Sequence, residues 1–230
     1  MLPLSYTGIK LNRYGLTDIP EKVFKYPEDI EYLKLGWNKF NQLPKRIGIL
    51  TNLRELGLNS NKLYYLPTEF SCLTNLLRLN LRDNKFRDFP PEVCKLPKLI
   101  DLNLNDNKIF RLPPEIKNLT TLESLHLFTN KIKVIPPEIG CMYSLTKLEL
   151  SDNRLKKFPP ELGNLTKLQD LNYFMNNIQI KNSIETSASI ISLRRLKYTK
   201  PADYSPICVQ QQQRKRRFIN LLKTEAMASM

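Results

Sequence analysis

Leu99-Ile100-Asp101-Leu102-Asn103-Leu104-Asn105-Asp106-Asn107-Lys108-Ile109 decides how the rest of the chain is read. Leu102 and Leu104 stand two apart, so on an extended strand they point to one side while Asn103 points to the other. The same wording returns 23 residues away in both directions. Seven asparagines mark it: Asn38, Asn61, Asn84, Asn107, Asn130, Asn153 and Asn176. Five residues before each stands Leu33, Leu56, Leu79, Leu102, Leu125, Leu148 or Leu171. Three before it comes Leu35, Leu58, Leu81, Leu104, Leu127 or Leu150, with Tyr173 in the last copy. One such unit cannot bury its leucine side alone, so neighbouring copies must stack and share a core. The Asn falls where the chain turns off the strand. Its amide carries two donors and an acceptor, enough to satisfy backbone groups that stacked turns leave unpaired.

The unit L-x-x-L-x-L-x-x-N-x-h-x-x-h-P, with h an apolar residue, resembles the leucine-rich repeat family over roughly residues 9 to 181. The resemblance implies an α/β fold: a right-handed leucine-rich-repeat solenoid with a parallel concave sheet and short helical turns on the convex side. Leu112 to Ile116 reads Leu-Pro-Pro-Glu-Ile, and Ile135 to Ile139 and Phe158 to Leu162 vary it. The first Pro ends the extended segment and the second suits a first helical turn. Glu92, Glu115, Glu138 and Glu161 then fall near helix starts, where negative charge is favoured. This wording is similar to intracellular Ras-pathway scaffolds and plant intracellular Ras-group proteins. That similarity implies a non-catalytic scaffold or adaptor that binds another protein on its concave face in intracellular signalling. Fold and consensus do not specify the partner.

The ends depart from the period. The first copy falls into register if it is 24 residues long, which puts Tyr14 at the Asn position. After Asn176 the pattern decays, and Leu193-x-x-Leu196-x-Tyr198 mimics one more strand. The expected organisation is a solenoid over 1–200 with degenerate terminal cap repeats, 184–200 forming the second cap, and a basic tail over 201–230. Ser205-Pro206 is a helix-start signal, and Phe218, Leu221 and Leu222 form a short apolar stripe, so the tail reads as helical or disordered.

The net charge is +14, with 41% hydrophobic and 25% charged residues, the balance of a soluble protein. No apolar run approaches the roughly 20 residues of a membrane span. The opening residues lack a basic region followed by an apolar stretch, so secretion is not expected. Cys72 and Cys141 occupy one repeat position three copies apart, about 14 Å at the spacing of stacked strands, too far to bridge. All four thiols read as reduced and mostly buried. The expected location is cytoplasmic, or nuclear if Arg214, Lys215, Arg216 and Arg217 act as an import signal.

Little in the chain could carry chemistry. His126 is the sole histidine, and there is no G-x-S-x-G, no phosphate-cradling Gly-rich loop and no C-x-x-C. No catalytic or metal-binding residues, no cofactor and no small-molecule substrate are expected.

The informative residues are those that vary. Stacked strands expose alternate residues in columns: Tyr32, Glu55, Arg78, Asp101, Ser124, Lys147 and Asp170 in one, Lys34, Gly57, Asn80, Asn103, His126, Glu149 and Asn172 in the next. A third runs Gly36, Asn59, Arg82, Asn105, Phe128, Ser151 and Phe174. These columns read as free of fold constraint, with aromatics facing solvent. Aromatics and Arg are the usual interface anchors, so Tyr32, Arg78, Arg82, Asp101, His126, Phe128, Lys147 and Phe174 are the candidate partner-binding residues. Trp37 either caps the array with Tyr32 or anchors a partner. The residue after each Asn is basic: Lys39, Lys62, Lys85, Lys108, Lys131 and Arg154. This edge is either solvated or, with the basic tail, a surface for an acidic partner such as RNA, tubulin or anionic membrane.

Overall fold

The computed structural model describes residues 8–178. The expected cap at 184–200 and the tail, including Arg214 to Arg217, lie outside them. Among the described residues, eight three-residue strands form one parallel sheet in chain order: β1 (Gly8–Lys10), β2 (Tyr32–Lys34), β3 (Glu55–Gly57), β4 (Arg78–Asn80), β5 (Asp101–Asn103), β6 (Ser124–His126), β7 (Lys147–Glu149) and β8 (Asp170–Asn172). Pairing follows the sequence period, Leu79 opposite Leu102 and Leu102 opposite Leu125. β1 pairs with β2 through Ile9 and Leu33, 24 residues apart. The first copy therefore has its extra residue. Tyr14 stands where the others carry Asn, and its N–H and that of Leu16 both donate to Asn38 Oδ1 at 3.0 Å.

The returning half of each copy is a 3-10 turn, such as Pro91–Lys95, Pro114–Asn118, Pro137–Cys141 and Pro160–Asn164. No α-helix occurs among the described residues. Five residues at the 3-10 rise of about 2 Å extend further than the same number in an α-helix at about 1.5 Å. Pro occupies the first turn of these four segments, and Glu92, Glu115, Glu138 and Glu161 lie there as expected. Neighbouring turns approach closely. A Cβ on Gly140 would come within 2.5 Å of the Glu161 carbonyl oxygen, so that contact admits only glycine. The leucines of both halves meet in one continuous core, with Leu104, Leu127, Ile116 and Ile139 wholly buried.

The asparagines form the expected buried ladder. Asn107 Nδ2 donates to the carbonyls of Leu81 (3.0 Å), Leu104 (3.1 Å) and Asn105 (3.2 Å), and Oδ1 accepts the Phe86 N–H at 3.1 Å. Asn84 and Asn130 repeat the arrangement one copy either side. Each amide joins its own turn to the preceding copy, which gives the column a single structural task from Asn38 to Asn176. The residue before each Asn has positive φ: Trp37, Ser60, Asp83, Asp106, Thr129, Asp152 and Met175. Asp takes this left-handed conformation readily, whereas a β-branched Thr is strained by it. Thr129 Oγ1 is also the one buried side-chain oxygen or nitrogen without a hydrogen-bond partner among the described residues.

The cysteines correct an expectation. Cys72, Cys94 and Cys141 are free thiols, but only Cys94 is buried; Cys72 is exposed and Cys141 half-buried. Cys72 and Cys141 end their 3-10 turns, while Cys94 sits one position earlier, on the inward side. Burial, with Glu115 and Glu92 nearby, pushes the Cys94 thiol up to about 12, so it stays protonated and unreactive.

Candidate protein-interaction surface

The central residue of each strand points into the core, so the flanking two point to the open face of the sheet. In-register stacking brings equivalent residues about 5 Å apart, where like charges repel and opposite charges attract. Several charged residues of the face resolve this by pairing. Glu55 takes Lys34 Nζ at 2.7 Å on one side and Arg78 Nη1 at 2.7 Å on the other. Hydrogen bonding from Lys34, reinforced by Arg78, holds the Glu55 carboxyl below the usual range. Arg82 Nε meets Asp106 at 2.9 Å, and Lys147 reaches Asp170 at 3.9 Å. Arg78, Arg82 and Lys147 are thus joined to neighbouring copies rather than waiting for a partner's carboxylates.

The face is also less free of fold constraint than its variability suggested. Asn80 Oδ1 accepts the N–H of Arg82, and Asn103 Oδ1 that of Asn105, each at 3.0 Å. Glu149 Oε1 does the same for Ser151 at 3.0 Å, and Asn105 Oδ1 takes the Phe128 N–H at 2.7 Å. The chain leaves the strand here with outward amides, which polar side chains two residues earlier close at Arg82, Asn105 and Ser151 and one from the preceding copy closes at Phe128. Columns expected to serve binding alone therefore also finish the backbone.

His126 lies between Asn103 and Glu149 in register and is half-buried. Burial lowers its pKa below the usual imidazole value, while Asp101 and Lys147 pull in opposite directions. Phe128 and Phe174 are half-buried rather than open to solvent, as is Tyr32. The Trp37 ring, half exposed, lies under the Arg13 guanidinium of the first copy at 4.9 Å.

The expected residues do not converge on one point. Arg78, Asp101 and His126 line a shallow depression of about 240 Å³ with Lys34, Glu55 and Asn103. Arg82 lies beyond it on the Asp106 side. Tyr32 and Phe174 belong to the second and eighth copies, roughly 30 Å apart at the strand spacing. Such a surface suits an extended contact with a macromolecule better than enclosure of a small molecule. Among the described residues no group of His, Cys, Asp and Glu could hold a metal, and no helix is long and apolar enough to cross a membrane.

A parallel sheet one strand deep per copy, joined by an asparagine ladder, defines a repeat protein whose variable face is built on an invariant frame. The comparisons agree. A family model described as a leucine-rich repeat region matches residues 90–205, and another for the leucine-rich repeat matches 75–96. The chain belongs to the leucine-rich repeat family. A leucine-rich-repeat protein of Leptospira interrogans is 37% identical, with a TM-score of 0.75 over 81% of this chain and 46% of that one. An internalin of Listeria monocytogenes is 22% identical, with a TM-score of 0.61 over 82% and 59%. That likeness speaks for the fold alone. The ectodomain of the plant membrane receptor kinase GASSHO1/SCHENGEN3 of Arabidopsis thaliana, solved with Casparian strip integrity factor 2, is 26% identical. Its TM-score is 0.58 over 75% of this chain and 24% of that one. The chain spans less than two thirds of each of these structures. No functionally curated protein matches. Leucine-rich-repeat proteins are in general non-catalytic modules for protein–protein interaction.

Proposed function

We propose that this chain is a non-catalytic scaffold or adaptor that holds a protein partner on the concave face of its sheet, in an intracellular signalling setting. The observation that carries the reading is the depression over β2 to β6, lined by Arg78, Asp101 and His126 on strands paired in register. Tyr32, Arg82, Phe128, Lys147 and Phe174 extend the contact along the same face. Arg and aromatic side chains lose little freedom there, because ion pairs and half-burial already order them. The 23-residue Leu-Pro-x-Glu-Ile wording and three free thiols support a reducing compartment, cytoplasmic or nuclear. We take the array to continue to about residue 200, with 201–230 a separate basic tail.

The test uses the full chain as bait, identifies the captured protein and then measures its affinity for variants. Changing His126 and Phe128 together to Ala should weaken it by about 2 kcal/mol or more. Changing Lys117 and Lys167, both exposed on the 3-10 side, should leave it intact. Loss through Lys117 and Lys167 with binding retained at 126 and 128 would contradict the assignment.

A further inference from the structure

A second surface, distinct from the sheet face, runs along the edge that follows each asparagine. The residue after Asn is exposed in six consecutive copies and is always Lys or Arg, from Lys39 to Arg154. The next residue is buried, which returns the third to the same side. That third column reads Asn41, Tyr64, Arg87, Phe110, Lys133 and Lys156, all exposed. Beside it stand Gln42, Tyr65, Asp88, Arg111, Val134 and Lys157, also exposed. These eighteen positions hold eleven cations and one acid, a surplus of ten in a chain whose net charge is +14. Among the described residues, Arg111 alone of the eleven meets a carboxylate, that of Asp88 at 3.3 Å.

We infer that this lateral band is a binding site for single-stranded nucleic acid. A phosphodiester strand carries negative charge at every unit without break, and the first column answers with six cations about 5 Å apart. The third column alternates ring and cation, Tyr64, Arg87, Phe110, Lys133, so each ring is flanked by a phosphate-binding side chain. Stacking of bases on rings beside a cationic track is how single strands are held without sequence preference. Tyr64 is 58% exposed and Phe110 40%, so both present ring surface. Tyr65 supports Tyr64 at 4.9 Å and donates to Gln42 at 2.8 Å, while the Arg111 guanidinium backs Phe110 at 5.6 Å. Eight of the eleven cations are lysines, a residue depleted at protein–protein interfaces, which sets an acidic protein second.

The experiment measures fluorescence anisotropy of a labelled 20-nucleotide oligouridine with the full chain over a range of salt. Replacing Lys62, Lys85, Lys108 and Lys131 by Gln should weaken binding at least about tenfold at low salt and reduce the log–log salt slope by about 3. Tyr64→Ala with Phe110→Ala should weaken binding by roughly thirtyfold or more and leave that slope unchanged. Thermal unfolding checks that each variant keeps its fold. Unchanged binding by the two-ring variant would overturn the assignment, since any polyanion would then suffice. Equal competition by polyglutamate of matched length would overturn it in favour of an acidic protein. Retained binding by the four-lysine variant, with loss on changing Arg214, Lys215, Arg216 and Arg217 to Gln, would overturn it in favour of the tail. Because no sheet-face residue is altered, failure here leaves the proposed protein site untouched.

Discussion

The sheet face and the lateral band are built by the same repeat, yet they treat charge in opposite ways. On the sheet face Lys34, Glu55 and Arg78 form a chain of ion pairs across three strands, and Lys147 faces Asp170. On the band, Lys62, Lys85, Lys108 and Lys131 follow one another with no described carboxylate in contact. In-register stacking repeats every charge about 5 Å away, so folding alone favours alternation of sign. The sheet face follows that demand and the band does not. A column that keeps like charges together against their repulsion is where a requirement other than folding acts most visibly.

The largest expected effect lies on the ladder that both surfaces share. Asn107→Ala should cost about 1–3 kcal/mol in urea unfolding, because the Phe86 N–H and the Leu81 and Leu104 carbonyls lose a buried partner. An unchanged midpoint would mean that neither surface depends on it for its register. Thr129 stands beside the ladder, strained and with an unpaired hydroxyl. Thr129→Asn should therefore raise stability by about 1 kcal/mol, measured in the same way.

These two positions mark how far the sequence could be read. The asparagine column was legible because one side chain must perform one task in every copy. Strands, register and core followed from it, since the leucines are fixed by the same period. The left-handed column was not, because Trp37, Thr129 and Met175 hide what Asp83, Asp106 and Asp152 would have indicated. Nor were the amide contacts of Asn80, Asn103 and Glu149, where different side chains meet one backbone need. For the candidate site, period and alternation placed Arg78, Asp101 and His126 on one face. They did not show that Arg78 is already bound to Glu55, which depends on rotamers rather than spacing. The band was legible only in its first column, since its rings and remaining cations differ from copy to copy.

Smaller effects sharpen the contrast by their sign. Arg78→Ala removes an exposed ion pair and should lower stability by up to about 1 kcal/mol. Lys108→Gln relieves repulsion and should raise it, within about 0.5 kcal/mol, at low ionic strength. The gain should fade as salt rises from about 0.01 M to about 0.15 M. A loss at Lys108 equal to that at Arg78 would erase the distinction. The smallest effect is a pH dependence confined to the sheet face. With its folded pKa below the ordinary 6.5, His126 binds protons less readily in the folded state than in the unfolded one. Its contribution to stability is therefore present above pH 6.5 and falls as pH drops from there through the folded pKa. His126→Gln should flatten that part of the stability profile, and an unchanged slope would place the titration elsewhere.

The central functional claim is that the sheet face, not the 3-10 side, holds the protein partner. Its most direct measurement places a photo-crosslinking amino acid at Ser124 on β6 and, separately, at Lys117 in the opposing 3-10 turn, and compares the adducts formed in cells. A discrete partner adduct is expected from position 124, suppressed by the His126 and Phe128 double alanine variant, and none of that mass from position 117. The same adduct from position 117, with none from 124, would contradict it.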